Sequence, residues 1–99
     1  MQESDLIFFY KDYCEYCEEA FRKFYVFCKK EKLNFVVVFL VLHDGKYCME
    51  KDGELIETNI PAVPALLSSK SDYLYVGADL VENFKEEYNL IWKVSNHLE

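Results

Sequence analysis

The stretch Lys11-Asp12-Tyr13-Cys14-Glu15-Tyr16-Cys17 decides how this chain is read. In front of it, Leu6-Ile7-Phe8-Phe9-Tyr10 is short, apolar and aromatic, the composition of a buried strand. Behind it, Glu18 to Lys32 carries a helical pattern, with Cys17, Ala20, Phe21, Phe24 and Cys28 on one stripe. A Cys-x-x-Cys at a strand-to-helix junction has a physical meaning. The first helical turn offers free backbone N–H groups and the positive end of the macrodipole, and both favour thiolate over thiol. Cys14 at the helix mouth is therefore the candidate nucleophile. Cys17 lies one turn on along the same side and faces inward, placed to attack a mixed disulfide formed on Cys14.

Charge supports these helix limits. Glu15, Glu18 and Glu19 crowd the start and Lys29, Lys30 and Lys32 the end, the polarity that complements the macrodipole. Beyond it, Phe35-Val36-Val37-Val38-Phe39-Leu40-Val41 is an uninterrupted apolar run, rich in β-branched residues. It reads as a central strand covered on both faces and parallel to the first, which makes strand–helix–strand a right-handed unit. His43 to Asn59 has two readings. Asp52-Gly53 has hairpin-turn chemistry, whereas Met49 to Glu57 suits a short irregular helix. The helix is preferred, because a parallel sheet needs both faces covered.

Ile60 to Leu67 leads into a third strand, and Ser68 to Asp72 is a polar turn. Tyr73 to Val76 is a fourth strand, antiparallel to the third. Asp79-Leu80-Val81-Glu82 has capping-box spacing, and Phe84, Tyr88, Ile91, Ser95 and Leu98 then recur at helical spacing. The expectation is a four-stranded mixed α/β sheet flanked by helices, one domain over residues 1–99. Leu98-Glu99 has the form of a vector-derived scar.

The 99 residues suffice for one core, and 52% hydrophobic with 17% aromatic content argues against disorder. A net charge of −7 without a basic stripe argues against nucleic acid as a partner. No leader is visible at Met1 to Asp5, and Phe35 to Leu42 is too short to span a bilayer. The expectation is a soluble cytoplasmic monomer. In a reducing cytosol, four cysteines point to catalysis or metal binding rather than to a stapled scaffold. A structural zinc site needs two close ligand pairs; Cys28 and Cys48 are isolated, and His43 and His97 lack partners at ligand spacing. No metal site is expected. Cys28 reads as a small core residue.

The element order, with a Val-Pro before the third strand, resembles the thioredoxin superfamily and within it the glutaredoxins. Lys11, Cys14, Tyr16 and Cys17 match the glutaredoxin pattern K-x-x-C-P-Y-C. Ala62-Val63-Pro64 is similar to the family's T-V-P, and Gly77-Ala78-Asp79 to a shortened Gly-Gly-x-Asp. The resemblance implies thiol–disulfide exchange with Cys14 as nucleophile and Cys17 as resolving thiol. It implies glutathione as co-substrate with no tightly bound cofactor, or protein disulfides as thioredoxin-like partners. Lys11 and Tyr16 would then belong to the substrate site, with Lys11 on a glutathione carboxylate. The Val63 backbone, ahead of a cis Pro64, would hold the substrate cysteine, and Asp79 would receive the γ-glutamyl amine. Three positions depart from the pattern: Glu15 stands where the family has Pro, Ala62 where it has Thr, and one glycine of the pair is missing. Asp12, Glu15, Glu18 and Glu19 surround Cys14 with acid; each disfavours the thiolate by ~0.5–1 kcal/mol at a wet surface. The same acids disfavour anionic glutathione. The rival reading is a thioredoxin-fold binding module with vestigial cysteines.

Overall fold

A computed structural model describes residues 5–92 as one mixed α/β sheet with helices packed on it. In chain order the elements are β1 (Leu6–Lys11), α1 (Glu15–Glu31), β2 (Phe35–His43), β3 (Lys46–Lys51), β4 (Glu54–Glu57), β5 (Ala65–Ser68), β6 (Tyr73–Val76) and α2 (Leu80–Glu87), followed by a π-helical turn, Tyr88–Trp92. The sheet has six strands in the order β4-β3-β2-β1-β5-β6. β1 and β2 are parallel and every other pair is antiparallel.

The sheet has two strands more than expected, and both come from the stretch 43–59. Where the sequence reading prefers a helix, the chain makes two consecutive hairpins. The reason is local. Asp44-Gly45 and Asp52-Gly53 each form a two-residue connection, with φ of 53° and 75° in the first and 54° and 81° in the second. Positive φ at both central residues is what a type I′ hairpin turn requires, and Asp-Gly adopts it at little cost. Turn chemistry outweighed the demand for a second helix layer.

That outcome leaves the sheet covered unequally. Leu6, Phe8, Leu66 and Tyr75 pack against Ala20, Phe24 and Cys28 of α1 and against Leu80, Val81 and Phe84 of α2. On the opposite face Phe9, Leu40 and Ala65 form a smaller cluster closed by strand neighbours, Ile60 and Val63. Among the described residues, both helices lie on the first face. β2 is therefore not sheathed on both sides, and Val36, Phe39, Val41 and Leu42 are exposed.

α1 starts three residues earlier than its periodicity suggested, because Cys14 caps it. It ends as charge and stripe predict: Lys29 and Lys30 stand in the last turn, and Lys32 takes the left-handed C-cap at φ 59°. Cys17, Ala20, Phe24 and Cys28 are buried on its inner stripe. α2 lacks the expected capping box. Asp79 is its N-cap residue but its side chain caps nothing. The Glu82 carboxylate is held below the usual carboxylate range by its own backbone N–H and by Lys23. Ser95 and Leu98, the far end of the predicted stripe, lie outside the described residues, as do His97 and Leu98-Glu99. Among the described residues, no helix is long and apolar enough to cross a membrane.

Candidate functional site at the mouth of the first helix

β1 delivers the chain to the sheet's upper edge at Lys11, and a tight turn follows. Tyr13 takes a left-handed φ of 61° there with its ring fully exposed, 102% relative to an extended reference. A non-glycine residue held so is uncommon and often marks a functional turn. Cys14 then takes extended backbone angles, φ −105° and ψ 113°, as the N-cap of α1. Its Sγ accepts the backbone N–H of Cys17 at 3.2 Å. That first-turn donor is shared with the Cys14 carbonyl oxygen, also at 3.2 Å, so the side-chain half of the cap is a sulfur instead of the usual oxygen.

Cys14 is half-buried and Cys17 is fully buried. The two stand at disulfide distance, with Cα atoms 5.2 Å apart. Cys28 and Cys48 are free and buried. Burial alone pushes the Cys28 thiol up to about 12, so it stays protonated and unreactive near neutrality. Cys48 sits on β3 with its Sγ 3.7 Å from the Lys46 carbonyl oxygen. Among the described residues, no group of three or more His, Cys, Asp or Glu side chains is arranged to hold a metal ion.

The acidic surroundings of Cys14 are thinner than the sequence suggested. Glu18 pairs with Arg22 at 3.3 Å, and Glu19 with Lys23 at 3.6 Å, each one helical turn on. Spacing of i and i+4 lets the cations partly cancel those charges. Asp12 and Glu15 remain exposed, and neither forms an ion pair among the described residues.

Strand register brings further sequence-predicted residues to the same edge. Phe9 pairs with Ala65 and Ala65 with Val76, so the Val63–Pro64 peptide, which is cis, sits at the end of the sheet where β1 hands over to Cys14. Gly77 N–H donates to the Pro64 carbonyl at 3.0 Å and ties that peptide to the start of α2. Tyr16 and Asp79 share a cleft of about 140 Å³ with Glu19, Ala20, Lys23 and Ala78. Lys11 lies outside this cleft, and its Nζ donates to the Asp12 carbonyl at 3.0 Å.

Comparison with known proteins finds no matching family model, no matching curated protein and no matching solved structure. The reading of the site therefore rests on its own geometry. Two features had escaped the sequence. Lys23 enters the Tyr16–Asp79 cleft because the Glu82 carboxylate, 3.2 Å away, draws it between the two helices. A second cleft, lined by Tyr10, Asp12, Phe21, Val37 and Phe39, opens on the other flank of α1. Its apolar residues read as core in the sequence; their exposure depends on where the helix layer stops, for which no local signal exists.

Proposed function

We propose that this chain is a thiol–disulfide oxidoreductase with a thioredoxin-like, glutaredoxin-related core. One observation carries the reading: a half-exposed sulfur capping a helix N-terminus, receiving the N–H of a buried second cysteine at disulfide distance. Such a sulfur is stabilised as thiolate by the helix it caps, and its neighbour is shielded from competing reactions. The order β1, α1, β2, β5, β6, α2 supports the same core, with β3 and β4 added at one edge.

In this reading the Cys14 thiolate attacks a disulfide sulfur of the substrate, and the substrate's other sulfur leaves as a thiolate. The Cys17 sulfur then attacks Cys14 Sγ, closes the Cys14–Cys17 bond and frees the substrate's second sulfur as a thiol. The dithiol loses two electrons and the substrate disulfide gains them. Two molecules of glutathione, leaving as glutathione disulfide, or one dithiol of a reductase regenerate the pair. The cis Val63–Pro64 peptide and the Tyr16–Asp79 cleft flank the route a substrate takes to the sulfur.

Two measurements test the reading together: equilibration of the pair against a thiol–disulfide buffer, and turnover of a glutathione mixed disulfide. The expected midpoint lies in the range of known dithiol catalysts, between about −200 and −270 mV. Cys14→Ser abolishes turnover, whereas Cys17→Ser retains it if glutathione does the resolving. A midpoint equal to that of unstrained thiols, with no turnover, leaves only a binding module.

A further inference from the structure

We propose that the cleft on the outer flank of α1 is a docking site for a client polypeptide, seating an apolar or aromatic side chain two or three residues from the client's disulfide cysteine, with a Lys or Arg beside it. This rests on the exchange chemistry proposed above and names the substrate class for it.

The cleft has a volume of about 480 Å³ and is walled by Tyr10, Phe21, Val37 and Phe39, with Asp12 at its mouth. Phe39 is 63% exposed although it sits in the middle of a strand. It meets Tyr10 edge-to-face at 5.5 Å, and Tyr10 meets Phe21 at 6.3 Å, so the wall is set before anything binds. A preformed aromatic wall costs little ordering on binding. The cleft exists because the helix layer ends over β2 while the sheet continues to β3 and β4.

Two observations fix the occupant. The first is continuity with the sulfur. Asp12 lines the cleft and stands two residues before Cys14, a chain span of at most ~7 Å. A client whose cysteine meets Cys14 brings the side chain two or three positions away to the cleft mouth. The second is charge. Asp12 and Glu15 are exposed without ion pairs among the described residues, on a chain of net charge −7. This surface attracts a cationic segment and disfavours anionic glutathione.

The test uses the reduced full chain and short peptides whose single cysteine is held as a disulfide with thionitrobenzoate. Cys14 thiolate attacks the peptide sulfur and thionitrobenzoate leaves as a coloured thiolate. Cys17 then closes on Cys14, its proton passing to the departing peptide thiolate. A peptide with Phe two residues from cysteine and an adjacent Arg is expected to react about tenfold faster than its Ser/Glu counterpart. Phe39→Ser removes most of the Phe preference. Asp12→Asn removes most of the Arg preference and flattens the salt dependence. The peptide series on the unaltered chain decides the matter even if a variant folds poorly. Equal rates across the peptides, with exchange still measurable, overturn the docking site and leave the exchange reading standing. A dimer in sedimentation that Phe39→Ser dissociates, with equal peptide rates, assigns the cleft to a second copy and also overturns it. No reaction above that of Cys14→Ser overturns the exchange reading itself.

Discussion

The backbone N–H of Cys17 points at the sulfur of Cys14, 3.2 Å away, while the Cys17 side chain is wholly buried beneath it. In the proposed exchange, this contact would favour reduced Cys14 as an anion, and Cys17 would be kept back as the second thiol. Cys28, on the same helix stripe, has burial without any such donor, and its thiol is pushed up to about 12. After reduction, iodoacetamide near pH ~8 should therefore modify Cys14 first and leave Cys28 untouched until the chain is unfolded. Mass mapping of the alkylated peptides checks this. Early labelling of Cys28 would mean that the inner stripe of α1 opens readily.

Glu15 is the first residue of α1, and with Asp12 it is an acid near Cys14 without an ion pair among the described residues. It favours the helix through the macrodipole and opposes the thiolate through its charge. Glu15→Gln should lower helix stability by ~0.3–1 kcal/mol. The same change should raise the thiolate fraction of Cys14 about two- to fivefold below its pKa, from ~0.5–1 kcal/mol of relieved repulsion. Thermal melts give the first figure, and the pH dependence of thiolate absorbance at 240 nm gives the second. A lower melting point with an unchanged thiol titration would show that water screens Glu15 from the sulfur.

The two Asp-Gly turns give a third test. Gly53 sits at φ 81° with open space around the position of a Cβ, so a substitution there is costly through the backbone alone. Gly53→Ala should destabilise the outer hairpin by ~1–2 kcal/mol. Gly53→Asn, which tolerates the left-handed region better, should recover much of that loss. Hydrogen exchange at the β3–β4 amides reads the effect locally. Faster exchange confined to residues 46–57 is expected, with β1 and α1 unaffected, since the hairpin sits at the sheet's edge.

These turns also mark where the sequence was legible. β1, α1, β5 and β6 announce themselves through apolar runs, a buried stripe and charges that suit the helix ends. The same stretch yields the sulfur geometry, because a Cys-x-x-Cys at a helix start allows few arrangements. In 43–59, Asp52-Gly53 carries a hairpin signal that the demand for covered sheet faces does not override, and Asp44-Gly45 has the same turn chemistry without being singled out by its surroundings. Phe39 is a different case. Its neighbours Val38 and Leu40 give no hint that a phenyl ring stands in solvent, for that depends on the lateral reach of a helix layer. The α2 capping box failed for a third reason. Lys23, distant in sequence, competes for Glu82.

Lys23 joins the two helices through Glu82 at 3.2 Å and predicts a pH window. The hydrogen bond to Glu82 is the main cause that raises Lys23 above its ordinary 10.5. Glu82 is lowered from its ordinary 4.5, first by its own N–H and then by Lys23. Stability owed to Glu82 is complete above 4.5 and is lost as the pH falls through its lower, folded value. Stability owed to Lys23 is complete below 10.5 and is lost as the pH rises through its higher, folded value. A double-mutant cycle of Lys23→Met and Glu82→Gln should give a small constant coupling between those limits, fading at both ends and in high salt. A coupling that persists near pH ~2 would show that the contact is not ionic.

Phe24 bridges four elements, and the physics there concerns packing only. Its ring is fully buried, stacked on Phe8 at 5.2 Å and edge-on to Phe35 at 5.1 Å and Phe84 at 6.1 Å. It therefore joins α1 to β1, β2 and α2 at once. Aromatic pairs add ~0.5–1.5 kcal/mol each beyond the area they bury, so three such contacts make this ring hard to replace. Phe24→Ala should cost ~3–5 kcal/mol, because the three surrounding rings are fixed to different elements and cannot all close the cavity. A domain of this size has a total stability of ~5–15 kcal/mol. Denaturant titration should thus place the variant near the edge of folding. Phe24→Leu, which retains much of the volume, should cost well under half as much. Equal losses for the two substitutions would show that ring geometry, instead of filled space, holds α1 against the sheet and fixes the angle at which Cys14 is presented.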